Sequence, residues 1–207
     1  MKIALFDYGA GNLHSLGKAL ESAGAAVSVT GDWAEALGLD ALVLPGVGAF
    51  GQAARALPDD PAVVREALEG GLPCLGICLG MQLLLEDSDE SEGDGIGLVP
   101  GRVRLLDAPV VPHMGWNDVE TDPDPLFDGV DQLVAYYANS YVCEPAHEEQ
   151  VIARSTYADR TFAAAVRAAN TWGVQFHPEK SSTDGRRIIH NFVSLARAIA
   201  DERRGSA

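Results

Sequence analysis

The stretch LPCLGICLGMQ, residues 72–82, combines an apolar run with a cysteine that has a glycine two residues before it and another two residues after it. The apolar residues 72–77 indicate a buried parallel strand, and residues 79–86 predict the helix that follows. This spacing is that of a strand-to-helix nucleophile elbow, with cysteine in the position that serine holds in many hydrolases. Because glycine has no Cβ, the sharp turn can form without a clash, and the Cys78 thiol projects from the edge of the sheet.

About a hundred residues later, the run FHPE, residues 176–179, supplies an imidazole and a carboxylate two residues apart. Cys78, His177 and Glu179 are therefore candidates for nucleophile, general base and the group that orients the base. A lone cysteine is more often a small buried hydrophobic residue, and His-Pro-Glu is a turn at least as often as a site. The strand–cysteine–helix context favours the catalytic interpretation of Cys78.

The apolar pattern along the rest of the chain predicts one α/β domain over residues 1–207, with 202–207 frayed. Strands alternate with helices in the first half, which is typical of parallel βαβ units, and strands dominate after residue 101. We therefore expect a mainly parallel sheet flanked by helices, with additional antiparallel strands. The predicted strands are 2–7, 27–30, 40–44, 72–77, 103–106, 117–121, 133–143, 151–155, 161–166 and 172–175; the predicted helices are 12–23, 62–68, 79–86 and 184–202, with a loop at 87–97.

Length and composition narrow the class of protein. With 207 residues, 47% of them hydrophobic, the chain can bury one substantial core. No stretch approaches the length of a membrane span, and the first residues predict a strand rather than a signal peptide. The three cysteines are scattered, so we expect neither a disulfide framework nor a metal site, and no cofactor. A thiolate nucleophile needs a reducing compartment, so we expect a cytoplasmic protein.

The charge of the chain is strongly acidic. Fifteen basic and thirty acidic side chains give a formal net charge of −15, and lysine occurs only at positions 2, 18 and 180. Such a surface repels nucleic acid, which excludes that class of partner. A generally acidic, solvated exterior is one interpretation. We favour the other, adaptation to a salt-rich cytoplasm, in which screening relieves the self-repulsion.

The motifs CLGMQ and FHPE resemble those of the class I glutamine amidotransferase family, whose members hydrolyse the side-chain amide of glutamine and release ammonia. Four further runs narrow the resemblance to one branch, the glutaminase subunits of imidazole glycerol phosphate synthases of histidine biosynthesis. They are DYGAGNL (7–13), LPGVGAF (44–50), PHMGWN (112–117) and FHPEKS (176–181).

The resemblance implies roles for further residues. Backbone N–H groups of Val47 and Leu79 would form the oxyanion hole, and the glycines beside Val47 would let its peptide rotate. The residues implied to bind glutamine are Gly48, Gln82, Glu90, Ser140 and Tyr141. Relatives usually have His-Ser-Tyr where this chain has Asn139-Ser140-Tyr141, and asparagine cannot titrate near neutrality. We therefore expect no protonation-dependent role at residue 139.

The resemblance also implies a partner, a cyclase subunit with a (β/α)₈ barrel, which would form a heterodimer with this chain. Ammonia would pass through that barrel to a ribonucleotide, yielding imidazole glycerol phosphate and aminoimidazole carboxamide ribonucleotide. The residues implied to face the cyclase are Asn12, Met114, Trp116, Asn117 and Lys180. For Trp116, a core position is the commoner explanation when the residues are considered alone.

Two alternatives remain open. Another class I amidotransferase subunit, such as the glutaminase of pyridoxal phosphate synthesis, would share the chemistry, although its Gly-Gly-Glu-Ser-Thr segment is absent here. A catalytically inactive binding module would share the fold, and loss of the cysteine, histidine or glutamate would be its mark. A phosphate-loop enzyme is disfavoured because the chain has no Gly-x₄-Gly-Lys-Ser/Thr run.

Overall fold

The computed structural model describes residues 1–9, 13–46 and 48–205. Within them, twelve strands and six helices follow one another along the chain. The strands are β1 (Lys2–Phe6), β2 (Ala26–Thr30), β3 (Ala41–Leu44), β4 (Cys74–Ile77), β5 (Asp87–Ser88), β6 (Gly101–Leu105), β7 (His113–Thr121), β8 (Leu133–Asn139), β9 (Tyr141–Pro145), β10 (Val151–Tyr157), β11 (Arg160–Ala168) and β12 (Thr171–Val174). The helices are α1 (His14–Ser22), α2 (Trp33–Leu37), α3 (Phe50–Arg55), α4 (Ala62–Glu69), α5 (Leu79–Gln82) and α6 (Ser182–Gly205).

The strands form two sheets. The larger has the order β2-β1-β3-β4-β12-β11-β10-β7-β8, and the smaller has the order β5-β6-β9. From β2 to β12 the neighbours in the larger sheet are parallel, and from β12 to β8 they are antiparallel. The α/β fold expected from the sequence is therefore confirmed, and β4, the strand that leads to Cys78, lies between β3 and β12 in the parallel half.

Alternating side chains of the parallel strands pack into two separate cores. In β1, Ile3 and Leu5 join the core beneath α1 and α6, whereas Ala4 and Phe6 join the core beneath α2, α3 and α4. All four side chains are fully buried, as expected for strands covered on both faces. Among the described residues, no helix is both long enough and apolar enough to cross a membrane.

The helix after Cys78 is shorter than the sequence predicts. It ends at Gln82 rather than at residue 86, although Leu83, Leu84 and Leu85 are all fully buried. The carbonyl oxygens of these three leucines accept hydrogen bonds from the backbone N–H groups of residues 96, 99 and 97, respectively. A distant segment of chain thus satisfies the groups that would otherwise continue the helix.

The predicted strand 133–143 was wrong as a single element. The strand is interrupted at Ser140. The part before it, β8, pairs with β7 in the larger sheet, and the part after it, β9, pairs with β6 in the smaller sheet. The pattern of the sequence also missed α2, α3 and the two-residue strand β5, which lies in the segment predicted to be a loop.

Candidate active site

Three neighbouring parallel strands end at the same edge of the larger sheet. Cys78 directly follows β4, His177 lies three residues after β12, and Pro45 and Gly46 follow β3. Because β3, β4 and β12 are adjacent and parallel, their carboxyl ends lie side by side. The Cys78 N–H donates to the Val174 carbonyl at 2.7 Å, which extends the β4–β12 pairing to Cys78 itself. Sheet topology therefore joins two motifs that are far apart in sequence.

The backbone at Cys78 has the strained conformation of an elbow, with φ of +48° and ψ of −102°. Only a few per cent of non-glycine residues adopt a positive φ, at a cost of order 1–3 kcal/mol. A Cβ on Gly76 would lie 2.6 Å from the Gly80 carbonyl oxygen, and a Cβ on Gly80 would overlap the Leu44 carbonyl group. Both glycines are therefore required by close backbone packing around the turn.

His177 and Glu179 form a buried hydrogen-bonded pair. His177 Nδ1 lies 2.8 Å from Glu179 Oε1, and the two side chains are 5% and 10% exposed. An ionised carboxylate can only accept, so Nδ1 carries a hydrogen and donates it to Glu179. In the neutral ring, the other nitrogen is then the proton acceptor.

The environment raises the pKa of His177 to about 9. Burial alone would lower this pKa, because it disfavours the charged ring. Hydrogen bonds to Cys78 and Glu179, together with electrostatic attraction to both side chains, outweigh that effect. The imidazole is thus held between the thiol and the carboxylate and retains a proton at neutral pH.

Gly46 packs against both Cys78 and the imidazole ring of His177. A Cβ at this position would lie 2.8 Å from Cys78 Cβ and 3.0 Å from His177 Cε1. The two atoms are therefore no more than about 6 Å apart, on either side of the chain that follows β3. The absence of a side chain at Gly46 lets the three strand ends approach this closely.

Two residues not predicted from the sequence hold the histidine loop. The Tyr136 carbonyl accepts from the His177 N–H at 2.8 Å, and the buried Ser181 hydroxyl donates to the His177 carbonyl at 2.7 Å. The same hydroxyl accepts from the Tyr136 N–H at 2.9 Å. Tyr136 of β8 and Ser181 therefore hold the backbone N–H and carbonyl groups of His177.

A chain of buried amides leads away from Cys78. Gln175 Nε2 lies 3.5 Å from Cys78 Sγ, and Gln82 Nε2 donates to Gln175 Oε1 at 3.4 Å. Gln82 Nε2 also donates to the Tyr141 carbonyl, at 3.1 Å. The same carbonyl accepts a second hydrogen bond from Asn139 Nδ2, at 3.0 Å. The structure thus joins Gln82 and Tyr141, both predicted to bind substrate, to Gln175, which was not predicted. A polar residue at the end of an apolar strand was the signal available for it.

The remaining residues predicted to bind substrate lie around the start of α3 and the end of β8. Gly48 is exposed and has a φ of +104°, and Glu90 Oε2 accepts from the Phe50 N–H at 2.8 Å. Glu90 therefore lies at the end of the loop that contains Gly48. Ser140 is half-buried, and its carbonyl accepts from the Leu106 N–H at 2.9 Å. Leu79 is the first residue of α5, where N–H groups have no acceptor within the helix. Val47 lies outside the described residues.

Comparisons with known proteins show the family to which the chain belongs. The family model for glutamine amidotransferase class-I matches residues 4–195. The chain belongs to this family. Curated relatives include proteins named imidazole glycerol phosphate synthase subunit HisH. The one from Halobacterium salinarum is 44% identical over 92% of each chain, and the one from Moorella thermoacetica is 44% identical over 94% of this chain and 95% of its own.

Solved structures of similar fold include a chain described as a glutamine amidotransferase. It has a TM-score of 0.73 at 21% identity and covers 94% of this chain and 99% of its own. PurLQS from Thermotoga maritima has a TM-score of 0.72 at 20% identity, covering 93% and 97%. At these identities, the likeness concerns the fold alone.

An exposed surface lies beside the family's histidine loop. Met114 and Trp116 are 65% and 55% exposed, and, being two residues apart in the strand, they lie on the same face of β7. The Trp116 and Tyr136 rings meet edge to face at 6.0 Å, and Lys180 Nζ lies 5.8 Å from the centroid of the Tyr136 ring. We call these four residues the Met–Trp surface. Because Tyr136 also binds the His177 backbone, this surface is directly connected to the site.

The other two residues predicted to face a partner are Asn117 and Asn12. Asn117 alternates with Trp116, so it lies on the other face of β7, where its Nδ2 donates to the Thr156 carbonyl of β10 at 3.0 Å. Asn117 thus fastens β7 to its neighbouring strand. Asn12 lies outside the described residues.

A cleft of about 300 Å³ leads from the surface to the histidine. It lies between the first turn of α1, the Pro45–Gly46 segment and the loop that carries His177, Glu179 and Lys180. A larger cavity of about 530 Å³ lies between β6, β9, β10 and β11, and none of the predicted site residues lines it. Within the described residues, no group of three or more histidine, cysteine, aspartate or glutamate side chains is arranged to hold a metal ion.

Proposed function

We propose that this chain is the glutaminase subunit of an imidazole glycerol phosphate synthase, with Cys78, His177 and Glu179 as its catalytic triad. The observation that carries the proposal is the buried His177–Glu179 pair beside a cysteine at a strained elbow. The relatives named as HisH subunits support the branch of the family, because the similarity extends over more than nine-tenths of each chain.

In the first half-reaction, His177 accepts the proton of the Cys78 thiol, and the sulfur attacks the side-chain carbonyl carbon of glutamine. The tetrahedral intermediate then collapses with cleavage of the C–N bond, and His177 donates its proton to the departing nitrogen, which leaves as ammonia. The raised pKa of His177 supports this role, because the ring holds a proton at neutral pH. Glu179 stabilises the imidazolium and fixes Nδ1 as a donor.

In the second half-reaction, water attacks the γ-glutamyl thioester. His177, neutral after the first step, accepts a proton from the water, and the thiolate of Cys78 leaves as glutamate forms. In both halves, the Leu79 N–H stabilises the oxyanion, with the N–H of Val47 as the second donor. An oxyanion-hole donor is worth about 10²–10³ in rate, so rotation of the Val47 peptide would act as a switch.

Glutamine is held by residues on three segments that converge near Cys78. Glu90 binds the α-ammonium group, for which its negative charge is suited, and Gly48 lies against the ligand backbone. Gln82, Ser140 and Tyr141 line the side of the pocket toward β9. The hydrogen bond between Glu90 and the Phe50 N–H supports this arrangement, because it brings the carboxylate to the Gly48 loop.

The partner is a cyclase subunit with a (β/α)₈ barrel that receives the ammonia. We place the contact on the Met–Trp surface, because exposed Trp and Met side chains next to a lysine form the kind of patch that carries binding energy. Asn12 belongs to the same predicted interface, whereas Asn117 lies on the other face of β7 and supports the surface by holding β7 against β10. The cleft that reaches His177 lies beside Lys180, which supports an exit for ammonia on this side.

The test is release of glutamate from glutamine in molar KCl, with and without a cyclase subunit and its nucleotide ligand. We expect strong stimulation by the cyclase and no turnover after Cys78→Ala. The matched control is Cys74→Ala, a second buried cysteine at the start of β4, the opposite end of that strand from Cys78, which should keep the stimulated rate. Ungated turnover that depends on Cys78 would instead indicate another class I amidotransferase. An absence of turnover in every condition would contradict the proposal.

The interface is tested with the double variant Trp116→Ala/Lys180→Ala. We expect weaker stimulation by the cyclase, while the melting temperature of the isolated chain stays near the parental value because both side chains are exposed. Val63→Ala on α4, which also removes a half-exposed apolar side chain, is the control and should be stimulated normally. Equal stimulation of the double variant and the control would refute the interface.

A further inference from the structure

The side chain of Gln175 is fully buried directly beside the nucleophile. It has no solvent exposure, and its Nε2 lies 3.5 Å from Cys78 Sγ. A primary amide without hydrogen bonds inside a protein costs several kcal/mol, so a buried glutamine is retained only where its donors and acceptor have partners. The triad chemistry described above makes no use of this residue.

The partners of Gln175 determine which end of its amide faces the sulfur. The Tyr141 carbonyl can only accept, so the Gln82 atom that faces it at 3.1 Å must be the nitrogen. The same nitrogen lies 3.4 Å from the Gln175 amide, whose nearer atom must therefore be the oxygen. This leaves the NH₂ group of Gln175 to face Cys78. The backbone carbonyl thus fixes the direction of the whole chain of amides.

We propose that Gln175 is a positioning residue for the Cys78 nucleophile, donating an N–H to its sulfur and holding it toward His177. The inference rests on the proposed function, because it takes Cys78 as the reacting thiol. An N–H donor binds a thiolate more strongly than a neutral thiol. Gln175 therefore favours the ionised form and restricts the direction of the sulfur, while Gln82 prevents the amide from turning over.

The chain of amides also links the nucleophile to the segment expected to bind glutamine. Through Gln82, the Gln175 side chain is connected to Tyr141, which follows directly after Ser140. Rotation of the Gln82 amide would release Gln175 as well. The reactivity of the thiol thus depends on the arrangement of a pocket residue that does not touch the sulfur.

The test is the rate of Cys78 alkylation by iodoacetamide from pH 5 to 10, followed by mass spectrometry. This reagent carries a carboxamide, as the side chain of glutamine does, and displacement of its iodide requires a thiolate. The other two cysteines are at most 2% exposed, and burial raises the pKa of each thiol far above its usual range. The Cys78→Ala variant gives the background rate.

We expect Gln175→Met, which keeps the volume but removes the donor, to slow alkylation about tenfold at pH values well below that of the half-maximal rate. The pH of half-maximal rate should rise by about one unit, since a tenfold change in the thiolate fraction corresponds to one pH unit. Gln175→Glu has the same shape but no N–H, and it should raise the half-maximal pH further. Thermal melts identify any variant that fails to fold, and the second variant then decides.

Gln82→Met tests the link between the two amides. It should produce a smaller shift than Gln175→Met, and the double variant should match Gln175→Met alone, because both substitutions act through one chain. A half-maximal pH that is unchanged in folded Gln175→Met or Gln175→Glu would overturn the inference. If the parental chain reacts no faster than Cys78→Ala, the reactive thiol of the proposed function itself is refuted.

Discussion

A methyl group added at Gly46 should disable the site by steric overlap alone. In Gly46→Ala, the new Cβ would lie 2.8 Å from Cys78 Cβ, 2.9 Å from the Ile77 carbonyl oxygen and 3.0 Å from His177 Cε1. The first two atoms belong to the backbone or are fixed directly to it, so neither can rotate away. Gly46 does not have a positive φ, so the substitution adds no backbone strain of its own.

The required movement sets the size of the effect. Ordinary contacts begin near 3.4 Å, so the elbow and the Pro45–Gly46 segment must separate by about half an ångström or more. Misplacement of reacting groups by about 1 Å can cost about 10²-fold in rate. We therefore expect glutamine turnover to fall about 10- to 100-fold. Overpacking of this kind should also lower the free energy of unfolding by about 1–3 kcal/mol.

The assay is glutamate release by the chain with its cyclase partner, beside urea unfolding of the isolated chain. Gly17→Ala, in α1, is the control, because the new Cβ would contact only Leu5 Cδ2, at an ordinary distance of 3.8 Å. It should keep parental turnover and gain about 0.5–1 kcal/mol from the helix preference of alanine. Turnover of Gly46→Ala within twofold of the parental rate, with unchanged stability, would refute the packing described for the three strand ends.

Three further predictions concern stability. The pKa of His177 is about 9 in the folded chain and near 6.5 in the unfolded chain, so the stability that His177 contributes is complete below pH 6.5 and is lost as the pH rises through 9. Thermal melts from pH 6 to 10 should show this loss of stability, and the loss should be smaller in His177→Gln. Asp124→Ala should lower the free energy of unfolding, measured in urea, by about 3 kcal/mol, because the buried carboxylate accepts hydrogen bonds from Arg167 Nη1 at 2.8 Å and Trp172 Nε1 at 3.1 Å. The control Asp201→Ala removes an exposed ion pair and should change the free energy of unfolding by less than about 1 kcal/mol. The melting temperature should rise as KCl increases from about 0.1 M to about 2 M, because screening relieves the repulsion of 15 excess negative charges, and equal values at both concentrations would contradict salt adaptation.

Local chemistry made the elbow predictable from the sequence. Only a glycine fits at positions 76 and 80, where the turn brings backbone groups into contact, and the apolar run before Cys78 marks a buried strand. The side-by-side arrangement of Cys78 and His177 depends on the parallel pairing of β4 with β12, which no local pattern indicates. The family resemblance supplied the remainder of the predicted site.

Non-local contacts explain what the sequence pattern missed. The helix after Cys78 ends early because residues 96–99 bind the carbonyls of Leu83–Leu85, which no local pattern reveals. The break at Ser140 depends on β8 and β9 pairing with strands of different sheets. The role inferred for Gln175 depends on hydrogen bonds to residues 93 and 97 positions away in the chain.

The most direct test of the account is detection of the γ-glutamyl thioester itself. The chain and its cyclase partner are mixed with isotopically labelled glutamine, quenched in acid, digested and analysed by mass spectrometry. Trypsin releases Cys74 and Cys78 in one peptide, so fragmentation must distinguish them. We predict label on Cys78, and none after Cys78→Ala. Glutamate release without label on Cys78, or label on Cys74 instead, would contradict the mechanism.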